Sequence, residues 1–165
     1  MLDPKEVQAV IDDVVGNTKD PLRLTRDFLK QVEEENKRVQ RLEKRLSSLK
    51  AEKEKCGGNW AAAVSVLERI EEAQRLTDQA KREYGTVVRE TEDVISRISD
   101  EVQRKILSMR YIELISDWQA IADEVKLSKA AVRRMHTAAL PLVKETIAQI
   151  EAEKKAEIEK AAAKQ

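Results

Sequence analysis

Cysteine is almost missing from this chain. The single one, Cys56, rules out an intramolecular disulfide framework and fits a reducing compartment. Proline and glycine are scarce as well, at three and four in 165 residues, which leaves little material for the turns a sheet protein needs. Aromatic residues make up 3%, too few for the large rounded core of an ordinary globular domain. No apolar run approaches the roughly 18 residues of a membrane span. The opening MLDPKEVQ is acidic where a secretion signal is basic and then apolar, so a soluble, cytoplasmic protein is expected. There is no excess of one charge either: 31 basic residues meet 31 acidic ones, and the overall balance argues for neither nucleic acid nor membrane.

What is plentiful is charge, at 38% of residues, and helix formers, with Ala, Glu, Lys, Leu and Arg together about half of the chain. That composition predicts an all-α protein built on long helices or coiled coils. Asp3 and Pro4, with Glu6 in the capping-box position, open a short helix. Its apolar stripe is Val7, Val10, Ile11, Val14 and Val15, and Gly16 ends it, so residues 1–20 form a short helix and a turn. Asp20 and Pro21 repeat the start signal, and nothing breaks the pattern until Gly57 and Gly58. A helix of about 35 residues, roughly 50 Å long, is expected there.

Along it Phe28, Val32, Val39, Leu42, Leu46 and Leu49 fall at spacings of three and four, with Glu35 where the pattern lapses, which is a heptad seam. Gly57, Gly58 and Asn59 reverse the chain. A second helix then opens near Trp60 and carries Ala63 or Val64, Leu67, Ile70 and Ala73, followed by Ala80, Tyr84, Val87, Thr91, Val94 and Ile98. Residues 21–98 are therefore read as a long antiparallel helical hairpin, a coiled coil, with Gly85 a point at which the second arm kinks or splits. The seam is thin and buries little for its length, so self-association is expected, with a dimer favoured. Pairing within one chain and pairing between chains both satisfy the pattern. The outer faces carry mixed charge and read as solvated helix surface.

The character changes after Ile98, and residues 99–150 read as a separate DNA-binding unit. Ser99 and Asp100 cap a helix carrying Val102, Ile106, Leu107, Met109, Arg110 and Tyr111; Ile112, Leu114 and Ile115 follow it. Ser116 and Asp117 cap a short helix with Trp118, Ile121, Ala122 and Val125 inward. After Lys126 and Leu127, Ser128 caps a third helix with Val132, Met135 and Ala139 inward. Small Ala122 at a crossing, Leu127 plugging the turn, and Val132 and Met135 as anchors are what a helix-turn-helix requires. Lys126 stands where the turn wants a residue that accepts a left-handed backbone. Pro141 should end or kink the recognition helix near Ala139 and start a last helix with Leu142, Val143, Ile147 and Ile150. The charged tail, 151–165, is expected to fray.

Charge separates a binding role from mere packing. From Val125 to Lys144 there is no acidic residue, while Lys126, Lys129, Arg133, Arg134 and Lys144 are basic. Lys129, Ala130, Arg133, Arg134 and Thr137 lie opposite Val132 and Met135, on the face that would enter a major groove. Ser128, Lys129 and the helix N-terminus suit a phosphate, and Arg133 or Arg134 a guanine edge. His136 lacks partners for a metal site or a general base and reads as a surface or phosphate-contacting residue. Trp118 reads as core packing. Trp60 reads as packing at the hairpin tip, with an exposed partner anchor as the other possibility, and Cys56 as an ordinary thiol. No phosphate loop, paired cysteines or nucleophile–base arrangement occurs, so no enzyme, cofactor or metal is expected.

The stretch from Arg104 to Leu140, with its Arg-Tyr-Ile segment, Trp-x-x-Ile-Ala helix, Ser-capped helix and terminal Ala-Leu, resembles the sigma-70 region 4 type of helix-turn-helix. Within it, the version in phage late transcription regulators of the RinA and ArpU type, and in related phage proteins, is the most similar. The resemblance implies a phage-encoded regulator that binds promoter or operator double-stranded DNA in the bacterial host and contacts host RNA polymerase. Lacking the other regions of a sigma factor, it would not initiate transcription alone. It also implies DNA contacts from Ser128, Lys129, Ala130, Arg133, Arg134 and Thr137, with Arg110 a backbone contact or a structural ion-pair partner. Two rival functions share the same pattern: a small-terminase-like packaging protein that recognises DNA and builds a ring, and a scaffolding coiled-coil protein whose helix-turn-helix only packs.

Overall fold

A computed structural model describes residues 20–164, and within them the chain is all-α, with five helices and no strand. They are α1 (Arg23–Lys55), α2 (Trp60–Ser96), α3 (Glu101–Tyr111), α4 (Trp118–Val125) and α5 (Lys129–Ala163). The short helix expected within residues 1–20 lies outside the described residues.

Local caps set most of these boundaries. The Asn59, Asp100, Asp117 and Ser128 side chains accept hydrogen bonds from the amides of Ala62, Gln103, Gln119 and Ala131, each replacing a partner that the first helical turn lacks. At Asp20 the outcome differs from the expected start at Pro21. The carboxylate takes the Leu22 amide at 3.1 Å and closes a turn, and α1 begins at Arg23.

α1 and α2 run side by side in opposite directions. Arg38 pairs with Glu83, Glu43 with Lys81 at 2.9 Å and Glu52 with Arg69 at 3.1 Å, the partner number falling as the first rises. Leu29, Val32, Val39, Leu46 and Leu49 of α1 are buried, as are Val66, Ala73, Ala80 and Val94 of α2. Two expected seam positions shift. Leu29 is fully buried where Phe28 was expected, Phe28 being half-buried against the same core, and Val66 is buried in place of Leu67. Glu35, at the lapse in the heptads, pairs with Arg38, which also reaches Glu83, so the gap is filled by charge. Thr77 and Thr91, buried on α2, donate their hydroxyls to the Ala73 and Val87 carbonyls, so neither is left unpaired. α2 does not split at Gly85: it is continuous to Ser96, where packing along α1 offsets a glycine cost of about 1 kcal/mol.

The C-terminal helices share cores with the hairpin base. One core joins Leu29 of α1, Val94 and Ile95 of α2, Leu107 of α3, and Leu140 and Val143 of α5. A second joins Ile106 and Met109 of α3, Ile121 and Ala122 of α4, and Val132 of α5. Packing therefore continues across the 98/99 boundary. α5 belongs to both cores, and this explains why it passes through Pro141 without ending near Ala139. The proline is exposed and its missing amide costs about 3 kcal/mol, whereas Ala139, Leu140 and Val143 around it are buried at 0–2% exposure. Fully burying one such Leu or Val side chain contributes about 1.5–3 kcal/mol. The charged tail does not fray either: α5 is helical to Ala163, and Glu153 binds Arg97 at 2.9 Å.

Candidate nucleic-acid interface

α4 ends at Val125, and Lys126 takes a left-handed conformation, φ 58° and ψ 42°. Its amide and that of Leu127 both turn back to the Ala122 carbonyl, the second at 3.1 Å. These backbone bonds close the turn without a plug. Leu127 accordingly is 39% exposed, and the expected plugging role is not what it does. Ala122 is fully buried in the core that also holds Val132 of α5.

On the opposite side of α5, Lys129, Ala130, Arg133, Arg134 and Thr137 are all exposed, as are Lys126 and Ser128 before them. None of the four cations in this group forms an ion pair among the described residues. Ser128 Oγ accepts the Ala131 amide at 3.1 Å, which leaves its hydroxyl proton free to donate. Thr137 donates its own proton to the Arg133 carbonyl at 2.9 Å, so toward a ligand it can only accept. Lys144 sits apart, beside Thr25 and Phe28 at the other end of the C-terminal assembly.

Arg110 is engaged elsewhere. Its guanidinium donates to the carbonyls of Ile115 at 3.2 Å and Ser116 at 2.6 Å and lies 4.6 Å from the Trp118 ring centroid. It forms no ion pair among the described residues; it holds the α3–α4 connection onto the indole. Arg133 approaches the same ring at 6.0 Å, which links the exposed face of α5 to that connection.

His136 is not the surface residue expected. It is half-buried, makes a 2.7 Å hydrogen bond with the Tyr111 hydroxyl and meets Trp118 edge-on at 4.9 Å. Burial, with the cations of Arg110 and Arg26 adding to it, lowers its pKa to about 4. Burial raises the Tyr111 pKa, so the phenol keeps its proton and donates it to Nε2 when the imidazole carries its own on Nδ1. This trio was invisible to periodicity. Its one trace was an aromatic residue at the end of α3, a tryptophan opening α4 and the chain's sole histidine on α5.

At the other end of the molecule Trp60 is 78% exposed, contrary to the packing expected. α1 has no large apolar residue beyond Leu49 to receive the indole. Cys56 is half-buried beside the Glu52 carbonyl. Among the described residues no group of His, Cys, Asp or Glu is arranged to hold a metal ion, and no helix is long and apolar enough to cross a membrane. Comparison of the chain with family models, curated proteins and solved structures gives no match.

Proposed function

We propose that the chain is a sequence-specific DNA-binding regulator of transcription, in which α4 and α5 act as a helix-turn-helix and the α1–α2 hairpin as a coiled-coil arm that joins copies. The observation that carries this reading is the exposed face of α5. Lys126, Lys129, Arg133 and Arg134, without carboxylate partners among the described residues, surround small Ala130 at the start of a helix anchored from behind by Val132 on Ala122. Cations grouped this way suit the phosphate backbone, a forked guanidinium suits a guanine edge, and the alanine permits close approach. The resemblance to phage late regulators points the same way. A dimer through the arm would present two such helices to half-sites about one helical turn apart.

The test is duplex binding at increasing salt. Each cation that displaces a phosphate counterion adds about 0.9 to the salt slope, so Arg133→Ala with Arg134→Ala should flatten it by about two and weaken binding. A slope that the double variant leaves unchanged would overturn the proposal. Mass measured with and without DNA tests the arm: two copies are expected, and a large ring would favour packaging over regulation.

A further inference from the structure

The arm also forms one wall of a polar cleft beside the α5 surface. Lys30, Glu33, Lys37 and Gln40 recur every three or four residues on α1, and across from them stand the α3–α4 connection and His136, enclosing about 430 Å³. Among the described residues Glu33 is the one carboxylate in the lining, against the cations of Lys30, Lys37 and Arg110. On the far wall the guanidinium of Arg110 lies 4.6 Å from the Trp118 ring centroid, and Arg133, outside the lining, approaches the same ring at 6.0 Å. Neither has a carboxylate partner among the described residues, nor has Lys30. Like charges gathered at one ring repel, and an anion between them relieves that repulsion.

The far wall is held firmly. Leu114 adopts φ 59°, a left-handed backbone that costs a side-chain-bearing residue about 1–2 kcal/mol. It persists because the Ile115 amide is bound to the Met109 carbonyl at 3.0 Å while Arg110 holds the next two carbonyls. The near wall is poised differently. Lys37 rests on Glu33 at 2.5 Å and can exchange that carboxylate for a stronger anion.

We infer that this cleft is a phosphate-binding site, with Lys30 and Lys37 of the arm on one side and Arg110 on the other. The rings of Tyr111, Trp118 and His136 beside these cations suit a phosphate carried by a nucleotide unit, in the backbone of a duplex seated on α5 or in a free nucleoside monophosphate. The site stands on the geometry of the cleft; only its duplex form rests on the function proposed above.

Trp60→Phe leaves Trp118 as the sole indole, and because Trp60 is exposed the change is harmless to packing. The emission of Trp118 is then titrated with a short duplex, with adenosine monophosphate and with adenosine, and the His136 proton resonances are followed in parallel. A phosphate-bearing probe should saturate the signal and adenosine should not. Lys30→Ala with Lys37→Ala, both exposed positions, should weaken that probe about tenfold, while Glu33→Gln strengthens it. Saturation by the duplex alone assigns the phosphate to a nucleic-acid backbone, and saturation by the monophosphate to a free nucleotide. The inference fails if no probe moves either signal, if adenosine matches its monophosphate, or if the double variant binds every probe as the parent does. A duplex bound equally by the double variant removes the duplex form of the site and spares the α5 reading; a monophosphate bound without any duplex binding keeps the cleft and removes the α5 reading.

Discussion

The Tyr111 hydroxyl and the His136 ring, 25 residues apart, meet at 2.7 Å and tie the end of α3 to the first half of α5. Burial and the neighbouring Arg110 and Arg26 keep the imidazole uncharged down to a pKa of about 4. The same ring faces Trp118 of α4, so a proton taken up there places a charge among three helices.

That pKa fixes a pH window for stability. The folded value lies below the ordinary 6.5, so between 6.5 and about 4 the unfolded chain binds a proton that the folded one refuses. Stability contributed by the neutral ring is therefore complete above 6.5 and is lost as pH falls toward 4. Glu33, Glu72 and Glu83, whose carboxyl pKa values are lowered by hydrogen bonds to Lys37, Arg75 and Gln79, lose stability in the same direction but only below the ordinary carboxylate value of 4.5. The urea midpoint of the parent should fall between pH 6.5 and about 5, and that of His136→Gln should stay flat over the same interval. Equal slopes for the two proteins would contradict this account.

Lys126 carries a second, independent strain. A lysine at φ 58° costs about 1–2 kcal/mol over a right-handed position, and its exposed side chain has no ion-pair partner among the described residues to offset that. Lys126→Gly should raise the unfolding free energy by about 1 kcal/mol, the remainder being absorbed by the greater freedom of glycine in the unfolded chain. The urea m value should not change, since the same surface is exposed on unfolding. A duplex-binding loss in this variant with a gain in stability would mark Lys126 as a phosphate contact.

How much of this could be read beforehand depended on the range of the interaction. The Asn59, Asp100, Asp117 and Ser128 caps act within three residues, and the helices they open start where those residues stand in the sequence. Gly85 and Pro141 mislead for the opposite reason. Their penalties are local and visible, whereas the burial that overrides them comes from α1 and from the shared core. The burial of Leu29 rather than Phe28 is set by a core that brings in Val94, Leu107 and Leu140, all far away in the sequence. In the candidate site, the exposed cations of α5 follow from helical periodicity alone. The engagement of Arg110 comes from the folding back of the α3–α4 connection, and the approach of Lys30 and Lys37 to His136 from α1 lying beside that connection, which no spacing records.

Gly85 itself offers a clean measurement. A Cβ placed there meets only the end of the Arg89 side chain, at 3.6 Å, an ordinary contact with a flexible group. The backbone is helical, so nothing requires a glycine. Gly85→Ala should stabilise the protein by about 1 kcal/mol, the intrinsic helix-propensity difference, visible as a higher thermal midpoint. A loss of stability would mean that α2 bends at this residue in solution.

Ala122 and Val132 set how α5 is presented. Both are fully buried and lie in the core where α4 meets α5. Ala122→Val adds two methyl groups at that contact, which should cost about 1–3 kcal/mol and push α5 away from α4. The cations of α5 remain, so non-specific attraction to DNA should survive while the geometry of base contact is disturbed. The expected result is an unchanged salt slope with a reduced ratio of specific to non-specific affinity, measured on a selected site against random duplex. Arg133→Ala with Arg134→Ala should do the contrary and reduce both. If Ala122→Val instead kept full specificity at the expected loss of stability, the angle between α4 and α5 would not be what positions the binding face.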